Sequence, residues 1–348
     1  MNLWSVSFSY RLGLGFHALN NEGSDGSNLM QPRRIDVGGQ TYDGISGEIV
    51  RRHILENFVR RCRAANIHML PLSEGLHPDR GPIGIRAAAK LDKATELTDQ
   101  NLLQSVRRAI SDCAVLDVGG YLAAWKEQDG GSTKEHTVEK KYIDVNCSPY
   151  KNAQPVKRDS CFDVGWLISE EPLDATVTQH STFRATAEMN MRYAQTMRSN
   201  VYAGVIRADL YRIGTDDYWY LTSQERLAVE EDEQLKRQTA LIQAIGDFLA
   251  APAGAKTAAW APHVFLTEGA ILLTSNRTAP FSSPIRVSVN SPEKSISRNE
   301  QYQAEMNAIS TSDAATSSFW HFQNVAELTT KLPEITKKLS ENAEANPK

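Results

Sequence analysis

The residues with the most chemistry to offer in this sequence are arginines placed around one helix start. Arg33 and Arg34 lie in "QPRRIDVGG", and Arg51 and Arg52 lie in "DGISGEIVRRHI". Between them, Ser46 is the expected N-cap. Gly47 is the small residue expected to let a ligand approach the backbone. A helix start presents free amides and a positive dipole end, which suits an anion, and guanidinium forks suit phosphate oxygens. On a helical wheel Val50, Ile54, Leu55, Phe58, Val59 and Cys62 share one apolar stripe. Arg52, His53, Asn57, Arg60 and Arg63 lie opposite, as a solvated charged face would. Arg51 leans into the apolar half, where a charge calls for an anionic partner.

Other chemistries fit poorly. The sequence has no GxxxxGK[ST] loop, and "GLG" at 13–15 lacks the third glycine of a dinucleotide fingerprint. It has no GxSxG elbow and no legible Ser/His/Asp set. His17, His53 and His180 could each be drawn as a general base, but none has an identifiable partner, and lone histidines are more often structural. Cys62, Cys113, Cys147 and Cys161 are scattered, with neither CxxC pairing nor zinc-like spacing, so neither a metal nor a cofactor is expected. The N-terminal "MNLWSVSFSYRLGLG" lacks the basic region and apolar core of a signal peptide, and no apolar run approaches bilayer length. A cytoplasmic protein with reduced thiols is therefore expected. Net charge is −4 over 348 residues, so any polyanion site must be local. Residues 1–115 hold 14 Lys/Arg against 12 Asp/Glu.

What remains is an extended anion. "SVSFSYRL" alternates, with Val6, Phe8, Tyr10 and Leu12 on one face and Ser5, Ser7, Ser9 and Arg11 on the other, the pattern of a half-exposed strand. Its polar face, the hairpin arginines around Gly38-Gly39 and the helix start could form one track for a nucleic-acid backbone. The aromatic signature of RRM base readers is absent, which predicts clamping of the backbone rather than stacking.

Periodicity places the strongest elements as strand 4–12, helix 46–65, strand 114–126, strand 200–213, helix 224–250 and strand 262–275. That order is β-α-β-β-α-β, an α+β fold of the ferredoxin-like or RRM type. Large insertions are expected at 19–45 (loop and hairpin), 66–112 (a helical lobe) and 129–199 on a core domain of residues 1–290. Residues 291–348 read as a polar segment, disordered at its end.

Several ordered motifs carry a family resemblance: "HALNNEGSDGSN", "QPRRIDVGG", "DGISGEIVRRHI", "SDCAVLDVGGYL", "TQHSTFRA" and "SNVYAGVIRADLYRIG". Together they resemble the CRISPR-associated DevR-type family, the backbone subunits that coat guide RNA in type I Cascade surveillance complexes. The resemblance implies an RRM-like palm with finger and thumb lobes, the thumb falling at 129–199; Met189, Met191 and Met197 are candidate apolar wedges there, and ordinary gap-fillers on the alternative reading. It assigns RNA contacts to Asn20 and Asn21, to Arg33 and Arg34, to Ser46, Gly47 and Arg51, and to Gln179, His180 and Arg184. Arg52 joins this set on charge and position.

As implied by the resemblance, the partners are crRNA, target DNA through base pairing with the guide, and further copies of the chain in a head-to-tail filament. A capping subunit, a large subunit and a processing endonuclease complete them, with no membrane. Such a subunit is not an enzyme. The rival readings are an RRM-fold RNA-processing endonuclease using His17 or His53, and a DNA-binding regulator, for which no basic recognition helix is evident.

Overall fold

The computed structural model describes residues 4–19, 21–22, 29–37, 40–78, 80–81, 84–85, 99–123, 156–172, 175–182, 191–222, 225–252, 263–275, 278–284, 304, 307–308, 311–312 and 316–345. In chain order the strands are β1 (Ser5–His17), β2 (Asn21–Glu22), β3 (Leu29–Val37), β4 (Gln40–Ile45), β5 (Tyr121–Ala123), β6 (Val156–Arg158), β7 (Phe162–Val164), β8 (Leu167–Pro172), β9 (Ala175–Thr182), β10 (Met191–Ala208), β11 (His263–Thr274) and β12 (Ser317–Phe322). The longer helices are α1 (Gly47–Ala64), α2 (Asp99–Asp112), α3 (Ala114–Gly119), α4 (Glu231–Ala250) and α5 (Val325–Ala345). The chain packs as two compact units, which cut across the expected division at residue 290. One comprises Met1–Ile54, Asp163–Ala208 and Ile245–Lys338, and the other Leu55–Phe162, Asp209–Ala244 and Leu339–Lys348.

The first unit is built on a ten-stranded sheet whose main path runs β12-β11-β1-β10-β8-β4-β3-β2. The pairings along this path and that of β9 with β10 are antiparallel, and β10 also makes a short parallel contact with β3. β1 is central, pairing with β10 from Val6↔Ala208 and with β11 from Val6↔Leu273. Its even residues Val6, Phe8, Tyr10, Leu12 and Leu14 are fully buried. Leu12 and Leu14 line a small apolar cavity with Ile49 and Val50 of α1 and Phe248 of α4, so the helices cover this face.

The opposite face of β1 is not half-exposed as the alternation predicted. Ser5, Ser7 and Ser9 are fully buried and Arg11 nearly so. The small serines let residues 279–282 cross the strand closely. Ser9 Oγ donates to the Ser282 carbonyl at 2.6 Å, and Ser5 Oγ accepts from the Ala279 amide at 3.1 Å. Arg11 donates from Nε to Glu170 Oε1 at 2.6 Å and also ion-pairs with Glu268. A phosphate track along these side chains is therefore closed.

Three further expectations fail for identifiable reasons. Residues 114–126 are not one strand. α3 occupies Ala114–Gly119 and stops at Gly120, whose φ of +67° suits glycine, before the three-residue β5. A continuous apolar run cannot distinguish a buried helix from a buried strand. The strand beside β10 is instead β8, inside the insertion expected at 129–199; its Glu170 breaks the apolar pattern because it pairs with Arg11. The described part of the polar segment after 290 holds regular elements. β12 extends the sheet beyond β11, and α5 runs to Ala345 with Leu328, Ile335 and Leu339 buried at helical spacing beneath a polar composition. α4 also starts at Glu231, seven residues after the expected 224, with Glu231, Asp232 and Glu233 in its first turn, where the dipole favours acids.

The second unit is organised around a buried carboxylate. Asp117, inside α3, binds Arg158 Nη2 at 2.5 Å and Arg237 Nη1 at 2.9 Å, and accepts from the Gly214 amide at 2.8 Å. Arg237 also donates to the Ile110 and Ser111 carbonyls at 2.7 and 2.9 Å. Two buried cations on one buried anion hold together because each has a second carboxylate, Asp217 for Arg158 and Glu233 for Arg237, and surrounding carbonyls take further N–H groups. Burial pushes the Cys62 and Cys161 thiols up to about 12, so both are protonated at neutral pH. Among the described residues no helix is long and apolar enough to cross a membrane, and no group of three or more His, Cys, Asp or Glu could hold a metal ion.

Candidate nucleic-acid interface

The hairpin β3–β4 leads directly into α1, so register determines which arginine meets the helix start. Arg33 pairs with Gly44 and Arg34 with Asp43. Gly44 lies two residues before Ser46, which places Arg33 beside the approach to the helix. Ser46 caps as expected: its Oγ accepts from the Ile49 amide at 3.4 Å, and its carbonyl accepts from Val50 at 3.3 Å. Arg51 is half-buried and Arg52 exposed in the first turns, while Arg34 is exposed on β3.

Gly47 has a different role from the one expected. A Cβ there would stand 2.3 Å from the Val164 carbonyl oxygen and 3.2 Å from that of Gly165. The close approach that glycine permits is that of the chain's own backbone, which braces the helix start against the residues leading into β8.

The other expected contacts fall farther along the sheet. Asn21 lies opposite Pro32, and Gln179 and His180 lie opposite Ala194 and Tyr193 in the β9–β10 ribbon. Ala194 also pairs with Leu29 of β3, so Gln179, Ala194 and Leu29 form one row across three strands. Asn20, Arg184 and Met189 lie outside the described residues. Met197, expected as an apolar wedge, is buried within β10 opposite Thr176 and is no wedge in this fold.

Beneath the hairpin lies a buried polar chain that sequence reasoning missed. His17 Nδ1 accepts from the Leu19 amide at 3.2 Å, which leaves the proton on Nε2, 2.9 Å from the Tyr202 hydroxyl. That hydroxyl donates to Asp43 Oδ2, the same oxygen that Arg198 Nε reaches, and Arg198 also donates to the Leu19 carbonyl. Burial, reinforced by the Arg198 charge, holds the His17 pKa well below the usual histidine value. Burial raises the Tyr202 pKa. It also pushes the Asp43 carboxyl up against the pull of Arg198 and Tyr202. These groups clamp β4 to β10 across β8 and fix the turn after β1, which leads to Asn20 and Asn21.

The two imagined bases change character accordingly. His17 is fully buried with both ring nitrogens engaged, so it cannot reach a phosphodiester. His53 is buried and lines the apolar cavity under β1, rather than standing on a solvated helix face. Asn57, placed on the same face, is also buried, and its Nδ2 donates to the Ala244 carbonyl at 3.4 Å.

Beside the helix start stands a second feature missed from sequence. The Trp166 ring lies near Gly44, beside the Ile35 side chain that fills the space over it, and the Arg33 guanidinium lies 5.0 Å from the Trp166 centroid. A sequence signal existed only in the exposed aromatic type; nothing in the spacing joined Trp166 to Arg33.

No curated protein matches the chain in sequence. Among solved structures it is similar to a chain of a "CRISPR RNA-guided surveillance complex, pre-nicking", at 11% identity and a TM-score of 0.46, covering 95% of this chain and 99% of that one. A chain from another "CRISPR RNA-guided surveillance complex" follows at 10% identity and a TM-score of 0.43, with the same coverages of 95% and 99%. Csc2 of Thermofilum pendens gives 11% and 0.38, covering 93% of this chain and 80% of that one. In sequence, residues 8–293 match the family described as CRISPR-associated negative auto-regulator DevR/Csa2. That match takes in the hairpin, the start of α1 and the buried chain beneath them, and the protein belongs to this CRISPR-associated family.

Proposed function

We propose that this protein is the guide-RNA-binding backbone subunit of a type I CRISPR surveillance complex. The observation that carries the reading is the family match over 8–293, which encloses the arginine hairpin and the capped helix start. The strand order β11-β1-β10-β8, with α1 between β1 and β8 and α4 between β10 and β11, supports an RRM-like palm. β2–β4 then serve as fingers and the β9–β10 ribbon as part of the thumb.

Ser46, Arg51 and Arg52, with Arg33 and Arg34, grip guide-RNA phosphates, while Asn21, Gln179 and His180 contact the same strand farther along the sheet. Asn20 and Arg184 belong to the same group of RNA-facing residues. The grip reads backbone and shape and leaves base edges free for pairing with target DNA, the division of labour of RNA-guided effectors. Copies associate head to tail along the RNA, a heterologous contact that needs caps from other subunits of the complex. The subunit itself does no bond chemistry.

The test is co-expression of the full chain with a repeat–spacer RNA, followed by purification and extraction of the bound nucleic acid. A multi-copy particle protecting RNA of guide length is the expected result. Shortening of the RNA by the purified chain would overturn the reading in favour of the nuclease. A preference for duplex DNA over single-stranded RNA would favour the regulator.

A further inference from the structure

Two glycines beside the helix start each have an aromatic ring against them. A Cβ on Gly44 would meet the Ile35 side chain first, at 2.4 Å, and stand 3.2 Å from Trp166 Cε3; a Cβ on Gly165 would stand 3.2 Å from Phe281 Cε1. Each ring therefore rests against backbone. Even so, Trp166 is 40% exposed and Phe281 45%. The two rings border a single segment, Gly165–Trp166, whose preceding residue Val164 supplies the carbonyl that braces Gly47.

Register places this cluster on the sheet face away from the helices. Residues 279–282 cross the serine face of β1, and Phe281 belongs to that crossing. Arg33 and Gly44 are direct cross-strand partners and share a face, and the Arg33 guanidinium lies over Trp166. In the chain alone, half-covered aromatic rings leave apolar surface in water, an arrangement that becomes favourable when something flat covers them. The flanking Arg33 guanidinium favours an occupant that carries negative charge at its edge. A nucleotide of single-stranded RNA has both properties: a π-face on the base and an anionic phosphate beside it.

We propose that Trp166 and Phe281, together with the Arg33 guanidinium, form a stacking site for one unpaired RNA base on the helix-free face of the sheet. The proposal rests on the RNA-binding reading and adds a base contact to the phosphate grip. It also reverses the sequence expectation that stacking is absent. That expectation came from the lack of a contiguous aromatic motif, whereas here the rings come from segments more than a hundred residues apart in the chain.

The test compares the full chain's affinity for a short single-stranded oligoribonucleotide with that for an abasic oligonucleotide of the same length, and adds a 2-aminopurine-substituted version. Wild-type protein is expected to quench 2-aminopurine. It should bind the base-bearing strand about 5- to 150-fold more tightly than the abasic one, the range for one stacked base. Trp166→Ala should remove most of that preference. Trp166→Phe should restore much of it, and Phe281→Ala should weaken it independently. Equal wild-type binding of both strands without quenching overturns the stacking site and leaves the phosphate grip standing. Failure of the wild type to bind either strand overturns the RNA-binding reading and this site with it.

Discussion

Replacing Tyr202 by Phe tests whether the buried polar chain under the hairpin holds the interface in place. The substitution keeps the ring, which meets His17 edge-on at a centroid distance of 5.3 Å, and removes only the hydroxyl. Two hydrogen bonds go with it, one from the neutral His17 Nε2 and one to the Asp43 carboxylate. A neutral bond contributes about 0.5–1.5 kcal/mol and a bond to a charged group about 1.5–3 kcal/mol. His17 and Asp43 are both buried, so a loss of about 2–4 kcal/mol is expected. Because unfolding exposes the same surface, urea melts followed by circular dichroism should show a lower midpoint at an unchanged m-value. Thermal midpoints should fall by roughly 4–16 °C for a unit of this size. A loss below about 0.5 kcal/mol, the lower bound for a single neutral bond, would mean that the chain of hydrogen bonds does not act as described and that β4 is held by its ladder alone.

Three other outcomes follow from particular residues. His17 is kept neutral in the fold, so below the unfolded histidine pKa of about 6.5 the unfolded chain takes up a proton that the folded chain does not. Its contribution to stability should therefore fall by up to about 1.4 kcal/mol per pH unit below that point and be flat above it. Asp43, with its raised pKa, acts in the opposite sense, so the wild type should be read against His17→Gln between pH 5 and 7; parallel profiles would refute the assignment. Asp117→Asn leaves Arg158 and Arg237 buried without their shared anion and should cost about 3–5 kcal/mol, seen as loss of soluble protein or a much lower denaturation midpoint. Arg51→Ala should weaken RNA binding equally for unrelated sequences and lower the log–log salt slope by about 0.7 for each phosphate the protein no longer neutralises; a sequence-dependent loss would contradict a backbone grip.

Much of the first unit is legible in the amino-acid sequence, and the reason is periodicity. β1, α1, β10 and β11 each present a sustained apolar pattern, and the Ser46 cap follows from local chemistry that needs no distant partner. The β3–β4 hairpin is also readable, and its register then places Arg33 near the helix start. The family resemblance rests on ordered motifs and holds across 8–293.

Tertiary structure decided the rest, because those features depend on neighbours far away in the chain. Whether Ser5, Ser7 and Ser9 face solvent depended on residues 279–282 arriving to cover them. Whether Glu170 could sit in a strand depended on Arg11, 159 residues away. The run at 114–119 became helix because Asp117 found two buried arginines, an outcome that no local pattern encodes. His17, Asp43, Arg198 and Tyr202 became one network across separations of 155 to 185 residues, and Trp166 met Arg33 only through the sheet. Local sequence carries backbone preference and the period of burial. Which charge meets which, and which aromatic is left open to a ligand, is decided by packing.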